Sequence, residues 1–461
     1  MKNFVLKLPF SLFATAFSLF ATLPPNTPNP QVKAIVAGVS ADRIAGIEQK
    51  LESFGTRNIY SARGSPTEGV GAAREWIASQ FRSYSPRLQV SFDKHRLAKQ
   101  NARMPGNVEI WNVVAVLPGT DEAEQKVLVT GHYDTINLIY RTGPDGKREI
   151  DPEATAKAPA PGVTDDGSGT AAVMELARVM SAHQFRKTLV FIAFAAEEYG
   201  LFGSGFYAEH AAEQKEQIVG VLNNDIIGSD RSGNGNTTNR SVNVYSEDPA
   251  DSPSRELARY FKSMAERYQP GFTINLVFRH DRFGRGGDHS SFNAAGFPAV
   301  RVTTPSENFS NQHTATDTFA NTSPEYATLV AKANAATAAA LALAPAAPQI
   351  TNAAPAEGRS FASPLERGRM PDGTSGYDAV LKWGASKPDT NLWGYLIVIR
   401  DTTAAYWQRN IFAGNVQSYM LPSVNIDEVV LGVKAIDQDG NESPVSVYAT
   451  PPYKARKIAT Y

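Results

Sequence analysis

The sequence TLVFIAFAAEE, residues 188–198, decides the fold of this chain. An unbroken apolar run follows Thr188, a pattern typical of a strand that is buried on both faces. The run ends in two adjacent carboxylates, Glu197 and Glu198. Charged groups at the edge of a core are costly unless something compensates them, and adjacent residues that leave a strand point in different directions. The pair therefore suggests a bound cation on one carboxylate and proton transfer by the other, with a solvated strand end as the alternative.

Four further polar clusters accompany this pair, and two of them also end an apolar run. The clusters are KVLVTGHYDT (126–135), PGVTDDGSG (161–169), IVGVLNNDIIG (218–228) and NQHTATDT (311–318). Ligands of open α/β sheets bind at the carboxyl ends of the strands. We therefore expect the histidines and carboxylates of all five clusters to meet at one edge of a sheet.

The side chains in these clusters form a nitrogen and oxygen ligand set. Two histidines, His132 and His313, stand beside several Asp and Glu residues, and the chain has no cysteine. Such a set suits Zn, Mn or Co at a catalytic site and does not suit a Cys-rich structural zinc site. The absence of cysteine also excludes disulfides, and a large core can hold an exported fold without them.

The five clusters together resemble the co-catalytic zinc aminopeptidase family. That family includes secreted bacterial leucyl aminopeptidases and, more distantly, glutamate carboxypeptidases, and the resemblance runs from about residue 108 to 342. It implies that His132 and Asp225 hold one metal ion. It also implies that His313 and Glu198 hold a second ion, and that Asp165 bridges the two.

The resemblance assigns the remaining polar residues to the chemistry of amide hydrolysis. Glu197 becomes the general base and acid, and Asp134 the partner that orients the His132 ring. Asp317 is expected to orient His313 in the same way. The implied cofactor is two Zn²⁺, with Mn²⁺ or Co²⁺ as alternatives, and the implied substrates are peptides or proteins.

Other functions are compatible with parts of this sequence. A serine hydrolase is disfavoured because Ser204 lacks the spacing of a nucleophile elbow and Ser168 suits the first turn of a helix. Carboxypeptidase or dipeptidase activity, and single-zinc acyl transfer like that of glutaminyl cyclases, stay open on the same fold. A non-enzymatic surface protein is disfavoured because every implied ligand and the base are present. The formal net charge of −1 gives no reason to expect nucleic acid or an anionic membrane as a partner.

The N-terminus predicts export. Lys2 and Lys7 precede or flank an apolar segment, and a proline-rich stretch follows, so we interpret residues 1–30 as a signal peptide with that stretch. An uncleaved membrane anchor is the alternative. The expected location is periplasmic or extracellular.

The next region, 31–343, is predicted to be the catalytic domain of an α/β protein: a mixed, mostly parallel β-sheet flanked by helices. Residues 31–107 are its helical lead-in. Helices are expected at 42–54, 69–81, 167–180 and 254–267. The runs WNVVAVLPGT (111–120) and KVLVTGHYDT are expected to form adjacent strands joined by a polar turn.

The C-terminal part predicts a separate small all-β sandwich. An Ala/Pro-rich linker spans 344–364, and short alternating strands fill 365–455. This region resembles a fibronectin type III module, with Trp383 as its core tryptophan and Leu421 as its inter-strand leucine. Tyr406, Trp407 and neighbouring aromatic residues are either core or a contact for polysaccharide or a cell surface.

Two features depart from the secreted aminopeptidases that the chain resembles. The segment 136–160 is long, polar and placed between two ligands, so it is either a flexible insertion or a lid or subsite wall. Arg279, Arg282 and Arg285 are either solvated or bind a substrate carboxylate, since arginine matches that group with two hydrogen bonds. His289 is expected to be structural.

Overall fold

The structure is a computed structural model that describes residues 28–351, 365–369, 375–385 and 389–449. The predicted signal peptide and most of the predicted linker lie outside the described residues. The helices are α1 (Pro30–Gly38), α2 (Ala41–Glu52), α3 (Gly69–Tyr84), α4 (Pro152–Lys157), α5 (Ser168–Met180), α6 (Phe202–Glu213), α7 (Pro253–Tyr268), α8 (His289–Ala294) and α9 (Pro324–Leu343).

The strands belong to one large sheet, a short hairpin and two small sheets. They are β1 (Gln89–Leu97), β2 (Val108–Leu117), β3 (Glu122–His132), β4 (Tyr140–Thr142), β5 (Arg148–Ile150), β6 (Lys187–Phe194), β7 (Gln217–Asn224), β8 (Ser241–Tyr245), β9 (Thr273–Val277), β10 (Ala299–Thr303), β11 (Gln349–Ile350), β12 (Glu366–Arg369), β13 (Ser375–Gly384), β14 (Leu392–Asp401), β15 (Arg409–Gly414), β16 (Ser418–Leu421), β17 (Val429–Asp437) and β18 (Ser446–Val447).

The large sheet has eight strands in the order β1-β2-β6-β3-β7-β10-β8-β9. Its centre, β6-β3-β7-β10, is parallel. Strand β2 pairs antiparallel with β1 and β6, and β8 pairs antiparallel with β10 and parallel with β9. All residues of β6 are buried, as its apolar run predicts. The mixed, mostly parallel sheet expected from the sequence is confirmed.

Helices cover both faces of this sheet. Leu189 and Phe191 of β6 belong to a core shared with α1, α2, α3, α5, α7 and α9, whereas Val190 and Ile192 face a smaller core under α6 and α8. The side chains of a strand point alternately to opposite faces, so an unbroken apolar strand serves both cores. Strands β6, β3 and β7 are parallel neighbours, so their carboxyl ends lie side by side at one edge of the sheet.

The expectation that β2 and β3 are adjacent is wrong. Strand β6 lies between them, antiparallel to β2 and parallel to β3. A short polar turn connects β2 to β3, which favoured a hairpin on the sequence alone. The apolar run of β6 from Leu189 to Phe194 gains more by lying between β2 and β3, where both of its faces are buried.

Helix α9 is long and apolar enough to span a membrane, the one such helix among the described residues. It packs inside the protein, since 89% of its most apolar window is buried. Its N-terminus repeats the start of α7: a serine caps the helix and a proline follows, Ser323-Pro324 here and Ser252-Pro253 there. Both signals are readable in the sequence because the serine oxygen accepts a free backbone N–H and proline suits the first helical position.

The C-terminal part consists of two small antiparallel sheets packed face to face. One contains β11, β13, β12 and β16, and the other has the order β15-β14-β17-β18. Trp383 and Leu421 are buried in the core between them, and Trp383 packs edge-on against Tyr395 at 5.4 Å between ring centroids. The predicted all-β sandwich is therefore confirmed, while its likeness to a fibronectin type III module stays a prediction.

The predicted linker contributes to this sandwich. Within 344–364, strand β11 pairs with β13, and Ile350 packs against the sandwich core. The Ala/Pro composition concealed this strand because only two residues, Gln349 and Ile350, form it. Residues 352–364 lie outside the described residues.

The sandwich rests on helix α7 of the catalytic domain through buried polar contacts. Arg400 forms an ion pair with Asp251 just before α7. Trp407 donates its indole N–H to Glu256 at 2.9 Å, and Arg259 donates to a backbone carbonyl of the sandwich. Trp407 is thus part of an interface between the two domains.

Candidate active site

The polar clusters converge at the carboxyl edge of the large sheet. His132 ends β3, Glu197 and Glu198 follow β6, and Asp225 follows β7. The parallel order β6-β3-β7 makes these strand ends neighbours. Two loops complete the set, one carrying Asp165 before α5 and one carrying His313 before α9.

Two groups of potential metal ligands form there. The first contains His132, Glu197 and Asp225, and the second contains Asp165, Glu198 and His313. Within each group the nearest ligand atoms all lie within 4.8 Å of one another. Every predicted ligand is therefore present at one site.

Asp165 joins the two groups. Its Oδ1 lies 3.2 Å from His132 Nε2, and its Oδ2 lies 3.2 Å from His313 Nε2. The second imidazole also lies 3.0 Å from Glu198 Oε2. On the other side, Asp225 Oδ1 and Glu197 Oε2 each lie 3.9 Å from His132 Nε2. One carboxylate thus offers an oxygen to each half of the site.

The donor atoms of this site fit metal ions. Buried polar atoms are almost always hydrogen-bonded, yet His132 Nε2 and Glu198 Oε1 are buried without a hydrogen-bond partner among the described residues. His132 Nε2 lies within 3.9 Å of the carboxylates of Asp165, Glu197 and Asp225. An imidazole nitrogen and carboxylate oxygens, gathered around two positions, are the ligand chemistry of zinc and related divalent ions.

The electrostatic potential of the site is strongly negative. Burial alone would lower the pKa of His313, but Glu198 and Asp165 raise it to about 11. Burial would likewise lower the pKa of His132, and the carboxylates around it raise it well above its usual value. For Glu197, burial is the largest cause of a strongly raised pKa, and Asp225 and Glu198 add to it. Such a potential attracts cations.

Asp134 supports the glutamate pair as well as the histidine. Its carboxylate accepts hydrogen bonds from the backbone N–H groups of Glu197 at 3.1 Å and Glu198 at 3.4 Å. The Nδ1 atom of His132 lies 3.1 Å from the backbone carbonyl of Asp134 and 3.7 Å from its carboxylate. Asp134 therefore fixes the loop that carries both glutamates and lies beside the ring of His132.

The expected role of Asp317 as the partner of His313 is not what the structure shows. Its carboxylate accepts hydrogen bonds from the backbone N–H groups of Thr164 and Asp165, at 3.0 Å each to the nearer oxygen. Short spacing from His313 suggested a contact with the ring, but the chain turns at His313, whose φ is 57°. Asp317 therefore positions the loop that carries the shared carboxylate.

Two further charged residues of the site were missed from the sequence. Arg301 of β10 is fully buried, with Nη2 at 2.9 Å from Asp225 Oδ1 and Nη1 at 3.4 Å from Asp281 Oδ2. Asp166 accepts hydrogen bonds from the N–H groups of His132, Gly169 and Ile226, which lie on three segments of the site. A lone arginine within the apolar strand AVRVT was the available signal for Arg301.

The backbone around the ligands is unusual. Ala196, Ile226 and His313 adopt positive φ angles between 57° and 64°, although none of them is glycine. Each is either a ligand or next to one. Such conformations cost free energy and concentrate where a site requires a particular side-chain direction.

Neither of the serines considered above has a histidine as its hydrogen-bond partner. Ser204 Oγ lies 2.9 Å from Ser291 Oγ, and Ser168 Oγ donates to the carbonyl of Thr164. The serine hydrolase alternative therefore has no support from the geometry.

Comparison with known proteins agrees with this geometry. Residues 112–338, which contain every ligand named above, match the model of peptidase family M28. A probable zinc metalloprotease of Leptosphaeria maculans is 32% identical over 455 residues, covering 92% of this chain and 98% of that protein. The chain belongs to peptidase family M28.

Solved structures of similar fold include an aminopeptidase and a cyclase. The aminopeptidase LapA of Legionella pneumophila has a TM-score of 0.51 at 22% identity, covering 68% of this chain and 74% of its own. A glutaminyl cyclase of Porphyromonas gingivalis has a TM-score of 0.50 at 18% identity, covering 65% and 97%. At such identities these likenesses show the fold of the M28 domain alone.

Four of the expected ligands, Asp165, Glu198, Asp225 and His313, line a pocket of about 240 Å³ together with Glu197, and we call it the metal pocket. Arg103, Arg282 and Arg285 also line it, together with Leu201 and Gln312. Of the three arginines that the sequence places together, two line the pocket and one does not. Arg282 and Arg285 face the pocket and pair with Glu307 at 2.6 and 2.5 Å, whereas Arg279 stacks on Phe283.

The inserted segment 136–160 forms the β4–β5 hairpin and α4. Its base is attached to the site, because the N–H of Leu138 donates to the carbonyl of His313 at 3.1 Å. The residues that line the metal pocket come from other segments. The hairpin tip is exposed, so in this conformation the insertion supports His313 and does not form a wall of the pocket.

Proposed function

We propose that this M28 protein is an exported two-zinc aminopeptidase. The observation that carries the proposal is the position of Asp165, whose two oxygens each lie 3.2 Å from one of the two histidines. One site would use His132 and Asp225, the other His313 and Glu198, with Asp165 shared. Paired metal sites of peptidases are bridged in this way, with the ions about 3.5–4 Å apart.

When bound, the two ions would lower the pKa of a water molecule and polarise the scissile carbonyl. The protein supplies the proton transfer. Glu197 lies at the edge of the first site, with Oε2 at 3.9 Å from His132 Nε2, where its carboxylate can accept a proton from water and return it to the leaving amine. Asp134 holds the backbone of Glu197 and thereby its direction.

Arg301 would act through Asp225. Its guanidinium, fully buried, holds the Asp225 carboxylate in its charged form, and its other side contacts Asp281. When an arginine forms hydrogen bonds with a metal-binding carboxylate, the carboxylate keeps a single orientation toward the metal ion. Asp317 likewise fixes the loop that carries Asp165, because it accepts hydrogen bonds from the backbone N–H groups of that loop.

Carboxypeptidase or dipeptidase activity is the second candidate, and the pocket arginines favour it. Arg103, Arg282 and Arg285 line the pocket, and the carboxylates of Asp281 and Glu307 pair with the last two, so these three arginines exceed their carboxylate partners by one charge. A free substrate carboxylate would be attracted there. A glutaminyl cyclase has the same fold, but it would need one zinc ion and the chain offers two groups of ligands.

One experiment separates these functions. Purified protein is assayed with leucine p-nitroanilide, with a dipeptide, with an N-blocked dipeptide and with a glutaminyl peptide, and zinc is measured on the same sample. An aminopeptidase hydrolyses the first two and binds two zinc ions. Cleavage of the N-blocked dipeptide alone would establish a carboxypeptidase, and cyclisation with one zinc ion would establish a cyclase.

Export and the partner of the sandwich are proposals as well. The Lys-flanked apolar segment in residues 1–23 supports secretion. Tyr406 is 52% exposed at the edge of the sandwich and supports a surface contact, for which a polysaccharide is our proposed partner. Tyr395, in contrast, lies in the sandwich core.

A further inference from the structure

A second depression adjoins the metal pocket, between helices α6 and α8. Its volume is about 480 Å³, within the range of about 300–1,000 Å³ that is usual for binding sites of small molecules. Its wall includes Leu201, Phe202, Phe206, Ala294 and Ala295, and Glu209 is the one charged residue among the described residues that line it. We call it the α6–α8 groove.

The groove lies next to the metal pocket. Gly200 and Leu201 line both cavities, so a single turn of the chain separates them. That turn is fixed to the proposed base, because the N–H groups of Gly200 and Leu201 donate to the carbonyl of Glu197 at 2.9 and 3.0 Å. A substrate that reacts beside Glu197 would therefore lie within one turn of the protein backbone from the groove.

The two cavities differ in chemistry. The metal pocket is lined by carboxylates, histidines and arginines, whereas the groove is lined mainly by apolar side chains. Gly205 leaves the floor of the groove open, since a Cβ atom built on it has no neighbour within 4 Å. An apolar side chain placed there would lose contact with water, which is favourable in proportion to the area buried.

We infer that the α6–α8 groove binds an apolar side chain of the leaving part of a peptide substrate. The inference rests on the proposed aminopeptidase function: with the N-terminal residue in the metal pocket, all other residues lie on the leaving side of the cleaved bond. The substrate class that follows is peptides longer than dipeptides, with a bulky apolar residue shortly after the cleaved bond.

The test compares peptides and groove-filling variants. Wild-type protein is assayed with Leu-Ala-Ala-Ala and with versions in which Phe replaces one Ala at a time. One Phe position should raise kcat/KM about 10–100-fold, as expected for burying such a side chain. Gly205→Phe fills the groove and should abolish that preference, so that kcat/KM is about the same for the Phe and the Ala peptides.

A matched control is available in α2. Gly46 is also an exposed helical glycine with no neighbour within 4 Å of a built Cβ, and it lies outside the groove. Gly46→Phe should keep the wild-type preference. Ala294→Trp fills the groove from α8 and serves as the test if Gly205→Phe does not fold.

Each outcome decides between the two proposals. If wild-type protein hydrolyses leucine p-nitroanilide but shows no preference for any Phe position, the groove is not a subsite and the aminopeptidase proposal stands. A preference that survives both filling variants, or that Gly46→Phe abolishes equally, also overturns the groove. If neither the p-nitroanilide nor any peptide is hydrolysed, both proposals fail.

Discussion

The metal pocket and the domain interface both bury carboxylates, and they compensate them in different ways. At the interface, Glu256 pairs with Arg259 and accepts the indole N–H of Trp407, and Asp251 pairs with Arg400. At the pocket, Glu198 Oε1 is buried with no hydrogen-bond partner among the described residues. The interface carboxylates are thus neutralised by arginines, whereas Glu198 keeps one buried oxygen that is available to a ligand.

Glu48 of α2 shows a third solution. It is fully buried, and its Oε1 atom also lacks a hydrogen-bond partner among the described residues. Burial is the main reason why its pKa rises to about 8. A bound proton removes the charge of Glu48, so an unpaired buried carboxylate need not indicate a metal site. Glu198 differs because Asp165 and His313 lie beside it and form a group of potential ligands.

The largest expected effect is on catalysis. Glu197→Gln removes the proton acceptor but keeps its size, so kcat should fall about 10²–10⁴-fold with little change in KM. Steady-state kinetics and zinc analysis measure this, and the variant should keep two zinc ions. Loss of one ion by this variant would mean that Glu197 is a ligand and not the base.

The matched variant one residue later should behave differently. Glu198→Gln removes a charged ligand, so zinc affinity at one site should fall. Loss of a ligand's hydrogen-bond partner typically lowers metal affinity about 10–100-fold, and loss of the ligand itself should lower it further. Titration with a zinc indicator checks this, and excess zinc should restore part of the activity. Unchanged affinity for both ions would remove Glu198 from the ligand set.

At the interface, the expected effect is on stability and not on chemistry. Asp251→Ala leaves the buried guanidinium of Arg400 without its partner, which typically costs about 3–5 kcal/mol in a fully buried pair and less here, since Asp251 is 24% exposed. Thermal unfolding should shift downward, while kcat/KM for leucine p-nitroanilide at 25 °C stays near the wild-type value.

The exposed pair Asp145–Lys147 is the control for this variant. Asp145→Asn should leave the unfolding temperature unchanged, because exposed pairs contribute little. Equal shifts for both substitutions, or a large loss of kcat from Asp251→Ala, would contradict the separation of interface and site.

The last expected effect concerns Glu48 and depends on pH. In the folded protein this carboxyl keeps its proton up to about pH 8, whereas the unfolded chain releases it near its ordinary value of 4.5. The folded state therefore binds more protons in this window, and the free energy of unfolding falls as the pH rises from 4.5 to 8. Glu48→Gln should flatten that decline in urea unfolding curves; a parallel decline in both proteins would show that Glu48 does not cause it.

The sequence predicted most of the fold, and it predicted which strand-end residues the structure brings together, for identifiable physical reasons. The apolar run of β6 could only be buried on both faces, and His132, Glu198 and Asp225 each follow such a run. The order of β2 and β6 was not predictable from the turn after β2, because strand pairing is set by burial across the whole sheet.

The residues that support the ligands were harder to predict. The contacts of Arg301 and Asp317 join segments far apart in the chain, and periodicity carries no information on such contacts. The same holds for the interface, where Trp407 meets α7 across about 150 residues.

The most direct test of the account is anomalous diffraction at the zinc edge from crystals of the zinc-loaded protein. The account predicts two peaks about 3.5–4 Å apart on either side of the Asp165 carboxylate, one beside His132 and Asp225 and the other beside His313 and Glu198. A single peak, or two peaks that do not share Asp165, would contradict it.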